Sequence, residues 1–146
     1  MTPDEMKRRT RAFALRVIRL YESLPKTKVA QHIGYQLVRA ATSVAANYRA
    51  SCRAKSKADF IAKMGIVEEE ADECVFWLEM LVDAKIVAEK LLAPLKKEAE
   101  EITAIVVSSI TTARGQKRPR TRFRNPQSTT GYHIDTKGDS GCDSVA

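Results

Sequence analysis

Histidine, cysteine and long apolar runs are the scarcest ingredients of this chain, and each scarcity removes a class of function. Of its two histidines, His32 falls near the start of a helical segment and His133 near the end of the chain. His133 has no nearby cysteine or fixed carboxylate, and neither histidine is a credible member of a catalytic triad. Cys52, Cys74 and Cys142 are odd in number, widely spaced, and two of them fall inside helical patterns. That excludes a disulfide framework and fits a reduced, cytoplasmic setting. A di-metal bundle core would need Glu-x-x-His pairs on facing helices. The chain has no such pair, and Glu68, Glu69, Glu70, Asp72 and Glu73 largely go round one helix. The expectation is a non-enzymatic protein without metal or cofactor.

The best apolar run, residues 75–82, is short and contains Glu79, so no membrane span is expected. At the N-terminus charge interrupts the apolar positions every two or three residues, which leaves no signal-peptide core. No convincing strand appears; the apolar spacing is helical wherever it is periodic.

Charge is what the chain has in abundance, and it is unevenly placed. Residues 1–57 hold 13 Lys/Arg and three acids, residues 58–113 hold five and twelve, and residues 114–146 hold seven and three. The blocks are therefore +10, −7 and +4, within a total of +7. At 146 residues the chain has room for one domain and a tail. Cationic leading helices and anionic trailing ones are open to three readings: solvated faces, pairing within or between subunits, and polyanion binding.

Four helices are expected in residues 1–113. The first, over residues 4–24, places Met6, Phe13, Val17, Leu20 and Leu24 on one stripe, and Pro25 ends it. Thr27 is a candidate cap for the second, whose core stripe is Ile33, Leu37, Ala40, Val44 and Tyr48. Gly34 inside that helix costs about 1 kcal/mol relative to alanine, which means either close helix contact or a tolerated weakness. Ala40, Ala41, Ser43, Ala45, Ala46 and Ala50 let a neighbouring helix approach closely. Ser56 and Asp59 have capping-box spacing, so a third helix starts near Lys57. Phe60, Met64, Val67, Ala71, Cys74, Leu78 and Leu81 then alternate spacings of four and three, the repeat of knobs-into-holes packing. Continued to residue 88, this helix would measure about 48 Å. Ile61, Ile66, Val75, Trp77 and Val82 lie off its seam and call for a second contact, most simply another subunit; for Trp77 the alternative is packing against a neighbouring helix of the same chain. Trp77 is the candidate oligomer contact. A fourth helix is expected to start at Pro94 and to carry Leu95, Ala99, Ile102, Val106 and Ser109. Residues 114–146 lose all periodicity and read as a disordered basic tail.

The segment QLVRAATSVAAN, Gln36 to Asn47, followed by the turn KSKADF at 55–60 and by the run from Phe60 to Glu79, resembles the large-subunit (23S) rRNA intervening-sequence proteins. Accessory proteins of diversity-generating retroelements are similar. The resemblance covers residues 6–113. It implies an all-α, antiparallel up-down-up-down four-helix bundle that assembles as a homopentamer, without enzymatic activity. It also implies binding to nucleic acid or to a protein such as a retroelement reverse transcriptase. The chain departs from the common pattern at Ala50 and Ser51, where many members carry an acidic residue and a glycine.

Within the motif, Gln36, Arg39, Ser43 and Asn47 lie near one helical face. A structural role, bonding a neighbouring helix, is preferred there over ligand contact. The candidate phosphate contacts are Arg8, Arg9, Arg11, Arg16 and Arg19 on the first helix, together with Arg114, Lys117, Arg118, Arg120, Arg122 and Arg124 in the tail. Phe123 is interleaved among the latter, a composition suited to RNA or DNA strands. No element resembles a base-reading module, so binding would be largely sequence-independent.

Overall fold

The protein is described here by a computed structural model, which covers residues 1–115. Four α-helices fill most of them: α1 (Pro3–Ser23), α2 (Lys28–Ser51), α3 (Lys57–Asp83) and α4 (Glu89–Ala113). No strand occurs among the described residues. The expected tail, with Lys117, Arg118, Arg120, Arg122 and Arg124, lies outside them; Arg114 is the exposed C-cap of α4.

Each helix start has a local cause. At α1 the Thr2 hydroxyl accepts the Glu5 N–H at 3.2 Å, the Glu5 carboxylate accepts the Thr2 N–H at 2.6 Å, and Pro3 takes the first helical position. This complete capping box was not among the sequence expectations, although T-P-D-E carries its signature. Thr27 caps α2 as expected, accepting the Ala30 N–H at 3.3 Å. Ser56 caps α3 through the Asp59 N–H at 3.0 Å, but the reciprocal half of the expected box is displaced. The Asp59 carboxylate reaches past the cap to the Lys55 N–H at 3.1 Å and pairs with Lys63 at 2.6 Å.

Two boundaries differ from expectation. α3 ends at Asp83 rather than residue 88, because Lys85 turns into the left-handed region with φ of 57°. The Lys85 N–H donates to Val82 O at 2.9 Å and the Ile86 N–H to Leu81 O at 3.0 Å, which is a Schellman closure. α4 starts at Glu89, so Pro94 sits inside the helix instead of opening it. Leu92, one turn before the proline-led stripe, is buried with Leu95, Ala99, Ile102, Val106 and Ile110. Burying Leu92 contributes about 1.5–3 kcal/mol, which offsets much of the roughly 3 kcal/mol an internal proline costs. The last core position is Ile110, not Ser109.

Each helix packs on the next, most extensively α2 on α3, and α1 closes against α4 through the smallest interface. The α2–α3 pair is antiparallel: His32 meets Trp77, and Arg39, seven residues later, meets Glu70, seven residues earlier. One core of inward stripes runs through all four helices, from Met6 to Ile110. Gly34 belongs to it because α1 comes too close for a side chain. A Cβ there would lie 2.5 Å from the Tyr21 ring and 2.6 Å from a Leu24 methyl, which decides between the two readings of that glycine.

Candidate nucleic-acid interface

Of the five α1 arginines, Arg9 is set apart by its partners. Its Nε donates to Glu98 Oε1 at 2.6 Å, and its Nη2 donates to Glu98 Oε2 at 2.9 Å and to Glu101 Oε2 at 2.6 Å. The forked pairing raises the guanidinium pKa, chiefly through the Glu98 hydrogen bonds, and ties α1 to α4. Arg9 is thereby neutralised at the α1–α4 junction, where phosphate cannot use it without breaking this tie. Arg8, Arg11, Arg16 and Arg19 are exposed and form no ion pair among the described residues. Spacings of eight and three put Arg8, Arg16 and Arg19 on one outward strip of α1, while Arg11 leans with Lys7 toward α2.

The motif face of α2 divides in two. Arg39 Nε donates to Gln36 Oε1 at 3.1 Å, and its Nη atoms reach across to α3, to Glu70 Oε2 at 3.4 Å and to Glu73 Oε1. Trp77 Nε1 donates to the same Glu73 oxygen at 3.0 Å. The Arg39 hydrogen bond, helped by that of Trp77, holds the Glu73 carboxyl below its ordinary range. Burial pushes Glu70 the other way despite Arg39. Asn47 instead turns back on its own helix, its Nδ2 donating to the Ser43 carbonyl at 2.8 Å. Trp77, half-buried, stands edge-on to both His32 and Phe76, with centroids 6.3 Å and 4.9 Å away. Cys74 is buried beside this network, and burial pushes its thiol pKa up.

Helix by helix, the charge segregates. α1 and α2 hold nine Lys/Arg and three acids; α3 and α4 hold five and twelve. Along the cationic side runs an open groove between α1 and α2 with a volume of about 580 Å³. Ala14, Ala45 and Ala46 are among the residues that line it, together with Lys7, Arg11 and Arg49. Arg49 escaped the sequence reading; its position seven residues beyond Thr42 on the α1-facing side of α2 is the signal that would have placed it there.

Among curated proteins, none matches this sequence. A family model described as "23S rRNA-intervening sequence protein" matches residues 4–108, nearly the full four-helix bundle. The chain belongs to this family. Among solved structures, a protein of unknown function from the S23 ribosomal protein family of Bacteroides thetaiotaomicron VPI-5482 is 31% identical with a TM-score of 0.71. The alignment covers 76% of this chain and 99% of the other. The unit shared with the family is thus the four helices, and the segment beyond α4 is outside the family match. No helix among the described residues is long and apolar enough to cross a membrane.

Proposed function

We propose that this protein is a non-enzymatic, self-assembling bundle that associates with RNA through the outward arginines of α1 and the cationic segment from Arg114 to Arg124. The observation that carries the reading is the contrast between paired and unpaired arginines. Arg9 and Arg39 are held by carboxylates of α4 and α3, whereas Arg8, Arg16 and Arg19 line an exposed strip and form no salt bridge among the described residues, Arg8 lying only within electrostatic reach of Glu5. A strip of fixed positive charge attracts a phosphate backbone without reading its sequence. The family's description, by reference to an intervening sequence of 23S rRNA, makes RNA the nucleic acid to test first.

The test is fluorescence anisotropy with a generic single-stranded RNA over a series of salt concentrations. Counterion release at about 0.7 per single-strand phosphate means that Arg8→Ala/Arg16→Ala/Arg19→Ala lowers the log–log salt slope by about 2. The same change at Arg9 would instead loosen the bundle. A triple variant with unaltered affinity and slope would reject the strip. Exposed apolar residues, Tyr35 at 60% and Phe76 at 50%, favour a second reading, an oligomeric adaptor for a protein partner. Assembly without any RNA binding at near-physiological salt would select that reading.

A further inference from the structure

The outward side of α3 carries a second seam. Ala62, Gly65, Glu69, Asp72 and Phe76 repeat at alternating spacings of three and four, opposite the buried stripe that runs from Met64 to Leu81. Phe76 is 50% and neighbouring Ile66 42% exposed. Glu69 and Asp72 are exposed and form no ion pair among the described residues. The groove between α1 and α2 is its complement: lined by the small Ala14, Ala45 and Ala46, cationic toward Lys7, Arg11 and Arg49, and apolar toward Leu15 and Ile18. Arg11 and Arg49 likewise form no ion pair among the described residues.

The spacing agrees as well as the chemistry. From Glu69 to Phe76 on α3, and from Arg11 to Ile18 on α1, charge and apolar centre are seven residues apart, about 10 Å along a helix. We propose that the outward face of α3 of one copy docks into the α1–α2 groove of a second copy. Glu69 and Asp72 meet Arg11 and Arg49, and Phe76 enters beside Leu15 and Ile18. Matching centres in this order lays α3 parallel to the receiving α1. Donor face and acceptor groove are different surfaces, so the contact is head-to-tail, and each copy can both give and receive. The inference rests on the self-assembly contained in the proposed function. It leaves Arg8, Arg16 and Arg19, on the other edge of α1, free for phosphate.

Light scattering coupled to gel filtration tests it, with circular dichroism to confirm the fold. Arg11→Glu/Arg49→Glu and Glu69→Arg/Asp72→Arg each reverse one half of the contact, and each is expected to reduce the particle to the 16.3 kDa monomer. Combining all four substitutions in one chain restores complementary charge and is expected to recover the wild-type mass, and mixing the two variants restores it between unlike copies and is expected to raise the mass above that of the monomer. Wild-type mass in either single-face variant, or failure of both recoveries, overturns this contact while leaving assembly through another surface intact. A monomeric wild-type protein overturns the self-assembly reading itself. An RNA salt slope in the Glu69→Arg/Asp72→Arg monomer that still falls by about 2 when Arg8→Ala/Arg16→Ala/Arg19→Ala is added would show that the nucleic-acid reading stands independently.

Discussion

Gly34 and Gly65 both occupy helix interiors, yet their surroundings assign opposite signs to the same substitution. Alanine at either position gains about 1 kcal/mol of helix propensity. At Gly34 the new methyl must displace the Tyr21 ring and a Leu24 methyl, both within 2.6 Å of it, and forcing extra volume into a packed site costs about 1–3 kcal/mol. Gly34→Ala is expected to destabilise by about 1 kcal/mol, whereas Gly65→Ala, with nothing within 4 Å, is expected to stabilise by about as much. Urea unfolding in the Glu69→Arg/Asp72→Arg background checks both while reading intrachain contacts alone. Lys85 is a third backbone site. It holds the left-handed position of a Schellman closure, where an L side chain is strained by roughly 1–2 kcal/mol. Lys85→Gly should therefore raise stability by about 1 kcal/mol, and no gain in urea midpoint would contradict the strain. This residue also explains why the end of α3 was illegible from sequence. The usual stop signal is glycine, and a lysine in that role looks like one more helical residue.

Among the elements, the inward stripes were legible because burial imposes a strict spacing: Ile33, Leu37, Ala40, Val44 and Tyr48 are all buried, as are Met64 to Leu81 at their heptad positions. The polar contacts between helices were half legible. The placement of Gln36 and Arg39 toward a neighbour follows from spacing, but five acids between Glu68 and Glu73 surround α3. Which of them meet Arg39 depends on the antiparallel register, which no local pattern encodes. The register brings Glu70 and Glu73 to the same guanidinium with opposite consequences. Glu73 has its pKa lowered by Arg39 and Trp77, so its stabilising contribution exists above the ordinary carboxylate range and disappears as pH falls through the lowered value. Glu70 has its pKa raised by burial; its contribution exists below the ordinary range and is lost as pH rises through the raised value. Thermal unfolding between about pH 3 and pH 7 should therefore separate the two. Glu73→Gln loses stability at neutral pH and shows a shallower acid decline than wild type, and Glu70→Gln gains stability at neutral pH. These groups are partly solvated, so effects of about 0.5–1 kcal/mol are expected. Identical pH profiles for the two variants would contradict the assignment.

For the whole molecule, the described core and the surplus of positive charge are distributed differently along the chain. The buried core runs from Met6 to Ile110 and all four helices end by Ala113, so the bundle has its structural elements in place before residue 114. Its electrostatics do not stop there. Residues 1–113 contain 18 Lys/Arg against 15 acids, a surplus of three, whereas the full chain has a surplus of seven. Removing residues 114–146 thus discards four of seven net positive charges without touching a core side chain among the described residues. Two measurements on the truncated protein should diverge. Urea unfolding is expected to move by less than about 0.5 kcal/mol, the range typical of changes remote from packed features. RNA affinity is expected to fall, and its log–log salt slope to lessen by about 4 if each of the six cations from Arg114 to Arg124 engages one single-strand phosphate. A truncated protein that keeps the full slope would leave the α1 strip as the whole nucleic-acid surface. One that unfolds markedly earlier would place the segment in the fold, so the separation of core from charge is decided by which of the two measurements moves.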